Sequence, residues 1–314
     1  MIKKLFSLML SVTMTAGLSV LCASAQQAAD TSFNPPIPNP AYPSGRGPVV
    51  LLDEAHFNFH TADGRYMPFA TLLRRDGYHV KPSRSPFSKA YLRSGQILVI
   101  ANALAERNKT DWTLPTPSAF SDEEVQAVRD WVKGGGSLLL IVDHMPFPGA
   151  AERLAAAFGV RFTNGYAIDE KAGGPMVFKL SDGSLKEHQI LRGQSANERV
   201  DSVATFTGSA FQIEGKAEPL FILGDSVVSV LTSTAGEITD KTPRIPVKGW
   251  YQGAVMRVGK GRVAVFGEAA MFSAQVAGPD RNPMGMNDPI AAQNAQFLLN
   301  VMHWLSGKLD DAKN

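Results

Sequence analysis

Strand-like and helix-like segments alternate along the first half of the chain. Continuous apolar runs predict strands that are buried on both faces, and these runs are Val49 to Asp53, Ile97 to Ala101 and Ser137 to Val142. Amphipathic segments between and after them predict helices, which are Pro68 to Asp76, Asp122 to Lys133 and Ala150 to Phe158. This alternation predicts an α/β fold with a doubly wound, mostly parallel sheet.

The helix predicted over Asp122 to Lys133 carries recognisable signals at both ends. Ser121 and Glu124 have the spacing of a capping box, in which each side chain satisfies a backbone N–H group of the other. The glycine run from Gly134 to Gly136 ends the helix. These signals make this the most firmly predicted helix of the chain.

Residues 160 to 250 interrupt the alternation with short β-like runs. These runs are Met176 to Leu180, Val203 to Phe206, Leu220 to Leu223 and Val227 to Leu231. We interpret the region as a β-rich elaboration of the sheet or as a small subdomain. The pattern then returns with a predicted hairpin, Ala254 to Val258 with Arg262 to Phe266, and with a final helix that is predicted to begin at Asp288-Pro289.

The first 25 residues have the three parts of a secretory signal peptide. A segment with two lysines precedes the apolar stretch Leu5 to Leu21, and Ala23-Ser24-Ala25 forms an A-x-A cleavage site. We therefore expect cleavage after Ala25, a periplasmic or secreted location and no transmembrane segment in the mature chain. An uncleaved membrane anchor is less well supported because the apolar stretch is short and interrupted. A lipid anchor at Cys22 would need a smaller residue before it.

Removal of this signal changes what the chain can do chemically. The sequence has 31 basic and 29 acidic residues, and two of the lysines would leave with the signal. A neutral mature chain argues against nucleic acid and anionic membranes as main partners. Cys22 is the only cysteine. The mature chain would therefore have no disulfide, no thiolate metal ligand and no cysteine nucleophile.

Composition divides the remaining chain into three parts. Residues 26 to 47 are rich in proline and are interpreted as a linker, either a tether or an extended arm. Residues 48 to 307 form the predicted α/β domain with its β-rich insertion at about residues 160 to 250. Residues 308 to 314 are a polar tail.

Polar side chains that suit chemistry follow four of the predicted strands. Ligands of open α/β sheets bind outside the carboxyl ends of the strands, so these side chains are expected to converge. The predicted catalytic residues are Glu54, His56, Asp143, His144 and Glu268. The predicted ligand-binding residues are Asp53, Asn58, His60, Tyr66 and Asn102.

This set of residues suits acid–base or metal chemistry. Glu54 or Asp143 would act as a base, and Glu268 would be a second carboxylate. His56 and His144 would orient other groups or hold a divalent metal such as zinc, iron or manganese, with His60 as a further candidate ligand. No strict metal-ligand motif occurs. Each residue alone also has a structural interpretation, because polar residues at strand ends cap helices and stabilise loops.

Two familiar motifs are incomplete in this sequence and a third is absent. Asp53-Glu54-Ala55-His56 spells a helicase box, but no phosphate-binding loop of the G-x-x-x-x-G-K-[ST] type precedes it. The pair His56 and His60 lacks the glutamate that follows the first histidine in zinc proteases. The chain has no G-x-S-x-G sequence, which argues against a common serine hydrolase.

Several stretches together resemble a group of exported proteins in the class I glutamine amidotransferase-like superfamily. They are Asp53 to Asn58, Asp63 to Tyr66, Phe120 to Glu124, Gly134 to Leu140, His188 to Ile190, Thr205 to Gly208, Gly267 to Ala270 and Asn294 to Leu305. The resemblance covers most of residues 49 to 306. It implies a flavodoxin-like sheet but brings no assigned reaction.

One departure from that superfamily removes its usual activity. Glutamine amidotransferases carry a nucleophilic cysteine on a sharp turn after the central strand. The corresponding turn here is Asn102-Ala103-Leu104 and has no cysteine. Glutaminase chemistry is therefore excluded by residue type, and the scaffold alone does not determine another function.

Two functions of different classes remain open. The first is binding of a small molecule or glycan in a strand-end cleft lined by acids and histidines, with hydrolysis, metal-assisted or not, as the reaction if the protein is an enzyme. The alternative is a non-catalytic interaction module of a cell-envelope complex, in which residues 160 to 250 contact a protein partner.

Overall fold

The structure is a computed structural model that describes residues 27–311. The predicted signal peptide, with its cleavage site after Ala25, lies outside the described residues. No helix within the described part of the chain is long and apolar enough to cross a membrane.

Six α-helices occur in the described residues. They are α1 (Met67–Arg75), α2 (Lys89–Leu92), α3 (Asp122–Lys133), α4 (Phe147–Ala156), α5 (Gln189–Arg192) and α6 (Asn294–Leu305). Short 3-10 helices span Glu106–Lys109, Ala196–Glu198, Ala270–Phe272, Pro289–Ala291 and Lys308–Asp311.

Seventeen strands accompany these helices in the same residues. They are β1 (Ala28–Ala29), β2 (Val49–Asp53), β3 (His79–Ser83), β4 (Ile97–Ala101), β5 (Ser137–Ile141), β6 (Val160–Phe162), β7 (Tyr166–Asp169), β8 (Met176–Lys179), β9 (Ser202–Thr205), β10 (Phe211–Ile213), β11 (Glu218–Ile222), β12 (Val227–Val230), β13 (Arg244–Pro246), β14 (Tyr251–Val258), β15 (Gly261–Phe266), β16 (Ala274–Ala277) and β17 (Asn282–Gly285).

Nine of these strands form one mixed sheet. Its order is β3-β2-β4-β5-β15-β14-β10-β6, and β11 also pairs with β14. The first five are parallel to one another, and numbered by themselves along the chain they stand in the order 2-1-3-4-5. The other four extend the sheet by antiparallel pairing. The expectation of parallel pairing therefore holds for the five strands that the helical segments connect.

The β-rich region partly extends this main sheet and partly forms separate ones. Strands β6, β10 and β11 join the main sheet. Strands β7, β12 and β13 make a three-stranded antiparallel sheet, and β8 pairs with β9. A further small sheet combines β1 with the hairpin of β16 and β17.

Helices cover both faces of the parallel strands. Because successive strand residues point to opposite faces, Leu52 and Val99 pack with α1 and α6 in one core, whereas Leu51 and Leu98 pack with α3 and α4 in the other. The apolar runs of the sequence are buried on both sides for this reason, as their lack of alternation predicts.

Element boundaries follow the sequence signals closely where those signals are local. Strands β2 and β4 and helix α3 have the predicted bounds, and Ser121 and Glu124 form both hydrogen bonds of the capping box. The predicted start of the last helix at Asp288 is wrong. The Asp288 side chain instead caps a single 3-10 turn by accepting from the N–H of Ile290, and α6 begins at Asn294.

The proline-rich segment lies along the domain as an extended arm. Its first strand, β1, pairs with β16. Further on, the N–H of Ala41 donates to Oδ1 of Asp76 over 2.7 Å, and the ring of Tyr42 meets that of Tyr78 edge-on at 5.2 Å. The pairing of β1 also brings Gln27, directly before that strand, to the cavity described next.

Candidate functional site

A cavity of about 870 Å³ opens at the carboxyl edge of the parallel strands. Five of the ten sequence-predicted site residues line it, and they follow four different strands: His60, Asn102, Asp143, His144 and Glu268. Its other side chains include Gln27, Phe59, Arg65, Trp112, Phe147, Phe206, Thr207, Gln275 and Met284. The convergence expected at the ends of the strands therefore occurs for half of the predicted set.

Glu268 is a buried carboxyl group two residues beyond β15, and only 1% of the residue is exposed. Burial raises its pKa to about 8, and the negative charge of Asp143 acts in the same direction. Backbone N–H groups of Ala270 and Met271 donate to its two oxygens over 2.8 and 2.7 Å and oppose part of that shift. Glu268 therefore holds a proton at neutral pH.

A close backbone crossing fixes the position of Glu268. The N–H of Ser209 donates to the carbonyl of Gly267 over 2.7 Å. A Cβ atom at Gly208, whose φ is +111°, would lie 2.3 Å from that same carbonyl oxygen. Only glycine fits such an approach. The crossing brings Phe206 and Thr207 to the cavity beside Glu268.

Asn102 orients the ring of His60 through a chain of hydrogen bonds. The backbone N–H of Asp143 donates to Oδ1 of Asn102 over 2.9 Å, which fixes the orientation of the amide. The amide NH₂ group then lies 3.2 Å from Nδ1 of His60. Nδ1 must accept this bond, so the ring proton is on Nε2.

His60 is consequently a neutral hydrogen-bond donor. Its pKa is lowered to about 3, mainly by burial and in smaller part by the neighbouring Arg65 and His144. The ring of His60 packs at 4.4 Å from that of Tyr66. A neutral imidazole with a fixed Nε2–H suits polarisation of a ligand oxygen rather than proton abstraction.

His144 has the opposite tautomer. Its Nδ1 lies 2.7 Å from the carbonyl oxygen of Met145, so Nδ1 carries the proton and donates it. Nε2 is left with a lone pair. The ring stacks on Tyr166 with a centroid distance of 4.3 Å, which holds the imidazole in place. His144 is therefore an acceptor where His60 is a donor.

Three aromatic side chains form a wall of the same cavity. Trp112 meets Phe59 at 5.2 Å and Phe147 at 5.3 Å, in both cases edge-to-face. Phe59 and Phe147 are 5.8 Å apart. Such a wall provides apolar surface for the face of a ligand ring, while the acids and histidines provide polar contacts.

A second group of predicted residues lies outside this cavity, around His56. Its Nδ1 is 2.9 Å from both oxygens of Asp53, and its Nε2 is 2.9 Å from Oε1 of Glu124. Asn58 also donates to Asp53 over 2.9 Å. Although burial opposes it, the two carboxylates raise the pKa of His56. This cluster links the end of β2 to the start of α3.

Glu54 and Tyr66 are also occupied by structural contacts. Glu54 accepts from the N–H of Ala62 over 2.8 Å and pairs with Arg84 at 3.0 Å. The hydroxyl of Tyr66 donates to the carbonyl of Ala269 over 2.9 Å, and burial raises its pKa well above the ordinary value. The structure therefore does not bring the predicted catalytic residues Glu54 and His56, or Asp53, Asn58 and Tyr66, into the cavity.

The three histidines proposed as metal ligands do not form a ligand set. Both ring nitrogens of His56 contact carboxylates and the ring proton of His60 is on Nε2, so of the three only His144 has a ring nitrogen with a free lone pair. Among residues 27–311, no group of three or more His, Cys, Asp or Glu side chains could hold a metal ion. The donor set thus does not fit a divalent metal.

Sequence reasoning missed several members of the cavity. Arg65 appeared only within a resembling stretch, and Trp112 and Gln275 carry no strand-end signal. Gln275 lies on β16, which pairs with the arm at β1. Glu124 was recognised as a helix-capping residue, but its contact with His56 depends on tertiary packing.

Comparisons with known proteins indicate similarity of fold at low sequence identity. A structure described as the mmIFT52 N-terminal domain has a TM-score of 0.56 and 13% identity, covering 82% of this chain and 97% of that one. Cytoplasmic protein STM3548 from Salmonella typhimurium has a TM-score of 0.48 and 14% identity, and the match covers 82% of this chain and 98% of that one. A ThuA-like protein from Bacteroides uniformis scores 0.46 at 13% identity, covering 87% and 94%. No protein-family model and no curated protein matches the sequence.

The His56 cluster yields a stability prediction. Replacing His56 with alanine leaves the buried carboxylate of Asp53 and the half-buried carboxylate of Glu124 without their shared partner, so His56→Ala should lower the free energy of unfolding by about 3 kcal/mol. The matched control is His79→Ala, because His79 is exposed and should change stability by less than about 0.5 kcal/mol. Urea unfolding measures both, and equal stability of the two variants would contradict the assigned structural role.

The raised pKa of Glu268 predicts that stability falls between pH 7 and pH 8. The folded chain retains a proton that the unfolded chain, with the ordinary value of 4.5, has lost, so stability decreases as pH rises toward the folded pKa. The raised pKa of His56 also makes stability fall as pH rises. The lowered pKa values of His60 and His188 have the opposite effect, because they make stability rise with pH below about pH 6.5.

Glu268→Gln should therefore flatten the dependence of stability on pH. Between pH 7 and 8, the decrease in the free energy of unfolding with pH should be smaller in the variant by about 1 kcal/mol per pH unit. This is the change expected when most of one proton is no longer released on unfolding. Urea unfolding at intervals across this range measures the slope. An unchanged slope in the variant would show that Glu268 does not titrate there.

Proposed function

We propose that this protein binds a carbohydrate, or a comparably polar small molecule, in the strand-end cavity and hydrolyses it by acid–base catalysis. The observation that carries this proposal is that one cavity combines a carboxyl group protonated at neutral pH, Glu268, with the charge of Asp143 and the free Nε2 of His144. Paired titratable groups whose environments favour different protonation states are characteristic of acid–base sites.

Glu268 is the proposed general acid. It donates its proton to the oxygen of the leaving group as the bond between that oxygen and carbon breaks. Asp143 supports this role by keeping the pKa of Glu268 high. Its negative charge also stabilises positive charge that develops on the sugar ring during bond cleavage.

His144 is the proposed general base. Nε2 accepts a proton from the attacking water while the water oxygen bonds to the reacting carbon. The resulting imidazolium lies next to Asp143 in sequence and keeps its Nδ1–H bond to Met145. Transfer of that proton through solvent to the Glu268 carboxylate restores both groups, so the reaction consumes one water and no net proton.

The remaining cavity residues position the ligand in this proposal. The Nε2–H of His60 donates to a ligand oxygen, and the wall of Phe59, Trp112 and Phe147 contacts the apolar face of a ring. A cavity of about 870 Å³ is large enough for an oligosaccharide unit or a drug-sized molecule.

We also propose that the sheet is flavodoxin-like and that the protein is exported. The order 2-1-3-4-5 of the five parallel strands, with helices on both faces, supports a flavodoxin-like sheet. In such sheets ligands bind at the carboxyl edge, where this cavity lies. The signal-like residues 1 to 25 support an exported protein that meets its ligand outside the cytoplasm.

Hydrolysis of a panel of 4-nitrophenyl glycosides by the mature chain tests this function. The wild type should release nitrophenol from at least one member, and on the corresponding methyl glycoside, whose leaving group must be protonated, Glu268→Gln should lower kcat by at least about 100-fold, the usual contribution of a general acid. The matched control is Glu54→Gln, since Glu54 contacts Ala62 and Arg84 away from the cavity.

Two results would contradict the proposal. Equal loss of activity in both variants, at equal thermal stability, would show that the cavity is not the reaction site. No turnover of any glycoside by the wild type would favour the non-catalytic interaction module over the hydrolase.

A further inference from the structure

We propose that the ligand is a sugar acid, whose carboxylate binds the guanidinium of Arg65. This inference rests on the proposed carbohydrate-binding function and names its substrate class. It is carried by two side chains that line the cavity and have unused hydrogen-bonding atoms, Arg65 and Gln275.

Arg65 is a partly buried cation without an acidic partner among the residues that the structure describes. Its Nη1 makes only a long contact of 3.4 Å to the carbonyl of Phe59, and its Nε is buried with no hydrogen-bond partner. Burial alone accounts for the lowering of its pKa, and no carboxylate of the described residues offsets this cost. A desolvated charge left in this state is expensive unless a ligand supplies the opposite charge.

The guanidinium is nevertheless held firmly in place. It lies over the ring of Phe59, with Cζ 3.8 Å from the ring centroid. Within the described residues Nη2 makes no hydrogen bond and Nη1 only the long one to Phe59, so the edge formed by Nη1 and Nη2 can take the two oxygens of a carboxylate. Arg65 is therefore arranged to receive a planar anion rather than to pair with a side chain of the protein.

Gln275 supplies an acceptor in the same cavity. The amide NH₂ group of Gln275 donates to the hydroxyl oxygen of Ser273 over 2.6 Å, and that hydroxyl donates to the carbonyl of Ala270 over 3.1 Å. This assigns Nε2 of Gln275 to Ser273 and leaves Oε1 buried without a partner. The matching ligand group is a hydroxyl donor.

Together these groups define the chemistry of the ligand. It carries a carboxylate for Arg65, a hydroxyl for Gln275 and a ring with an apolar face for the wall of Phe59, Trp112 and Phe147. A hexuronic acid unit has all three features. Because Glu268 is protonated at neutral pH, only Asp143 of the two acids that line the cavity would repel such an anion, and the charge of Arg65 offsets it.

Calorimetric titration of the mature chain with hexuronates and their neutral parent hexoses tests this inference. The probes are D-glucuronate, D-galacturonate and D-mannuronate beside glucose, galactose and mannose. At least one uronate should bind at least about tenfold more tightly than its parent, as expected for a charge-assisted contact. Arg65→Gln should abolish this preference and leave binding of the neutral hexose unchanged.

The control variant is Arg84→Gln, because the exposed Arg84 pairs with Glu54 outside the cavity and should leave the preference intact. Uronates that bind no more tightly than hexoses would overturn the inference, even where the glycosides above are hydrolysed. Equally tight, Arg65-dependent binding of acetate or phosphate would overturn it in favour of a general anion site. Arg65-dependent uronate binding without hydrolysis would support it and refute the hydrolase.

Discussion

The burial of Glu268 beside Asp143 is the interaction on which the candidate site depends. Two carboxyl groups in a largely desolvated space cannot both be charged without a large cost, so one of them retains a proton. The depth of burial decides which of the two carboxyl groups is protonated. Glu268 is the more deeply buried and has its pKa raised to about 8. The backbone of the 3-10 turn at Ala270–Phe272 holds its oxygens in place.

The turn after the central strand has a second, complementary role. Asn102 has a φ of +51°, in the left-handed region that asparagine tolerates better than most residues. Its side chain links the backbone of Asp143 to the ring of His60. In this chain the turn therefore carries a residue that fixes the tautomer of His60.

The sequence predicted those parts of the fold that depend on local signals. Strands β2 and β4 were recognised because an unbroken apolar run cannot face solvent, and α3 because its capping box is contained within four residues. The start of α6 was not recognised, because Asp288-Pro289 is an equally good signal for a single 3-10 turn.

The candidate site was only partly predictable, since strand ends identify which residues reach the right edge of the sheet but not the direction of each side chain. His56 and His144 both follow a strand. The ring of His56 nevertheless lies between two carboxylates, whereas the ring of His144 is hydrogen-bonded only to a backbone carbonyl. Arg65 lies in the turn before α1, and Gln275 lies on β16, which pairs with β1 far away in sequence, so neither is marked by a strand end.

The most direct test of this account is a carbon-13 NMR titration of the Glu268 carboxyl group in the folded protein, with the resonance assigned by its loss in the Glu268→Gln variant. We expect a midpoint near pH 8, which moves to lower pH in Asp143→Asn because the neighbouring negative charge is removed. A wild-type midpoint near the ordinary value of 4.5 would contradict it, because Glu268 would then hold no proton to donate at neutral pH.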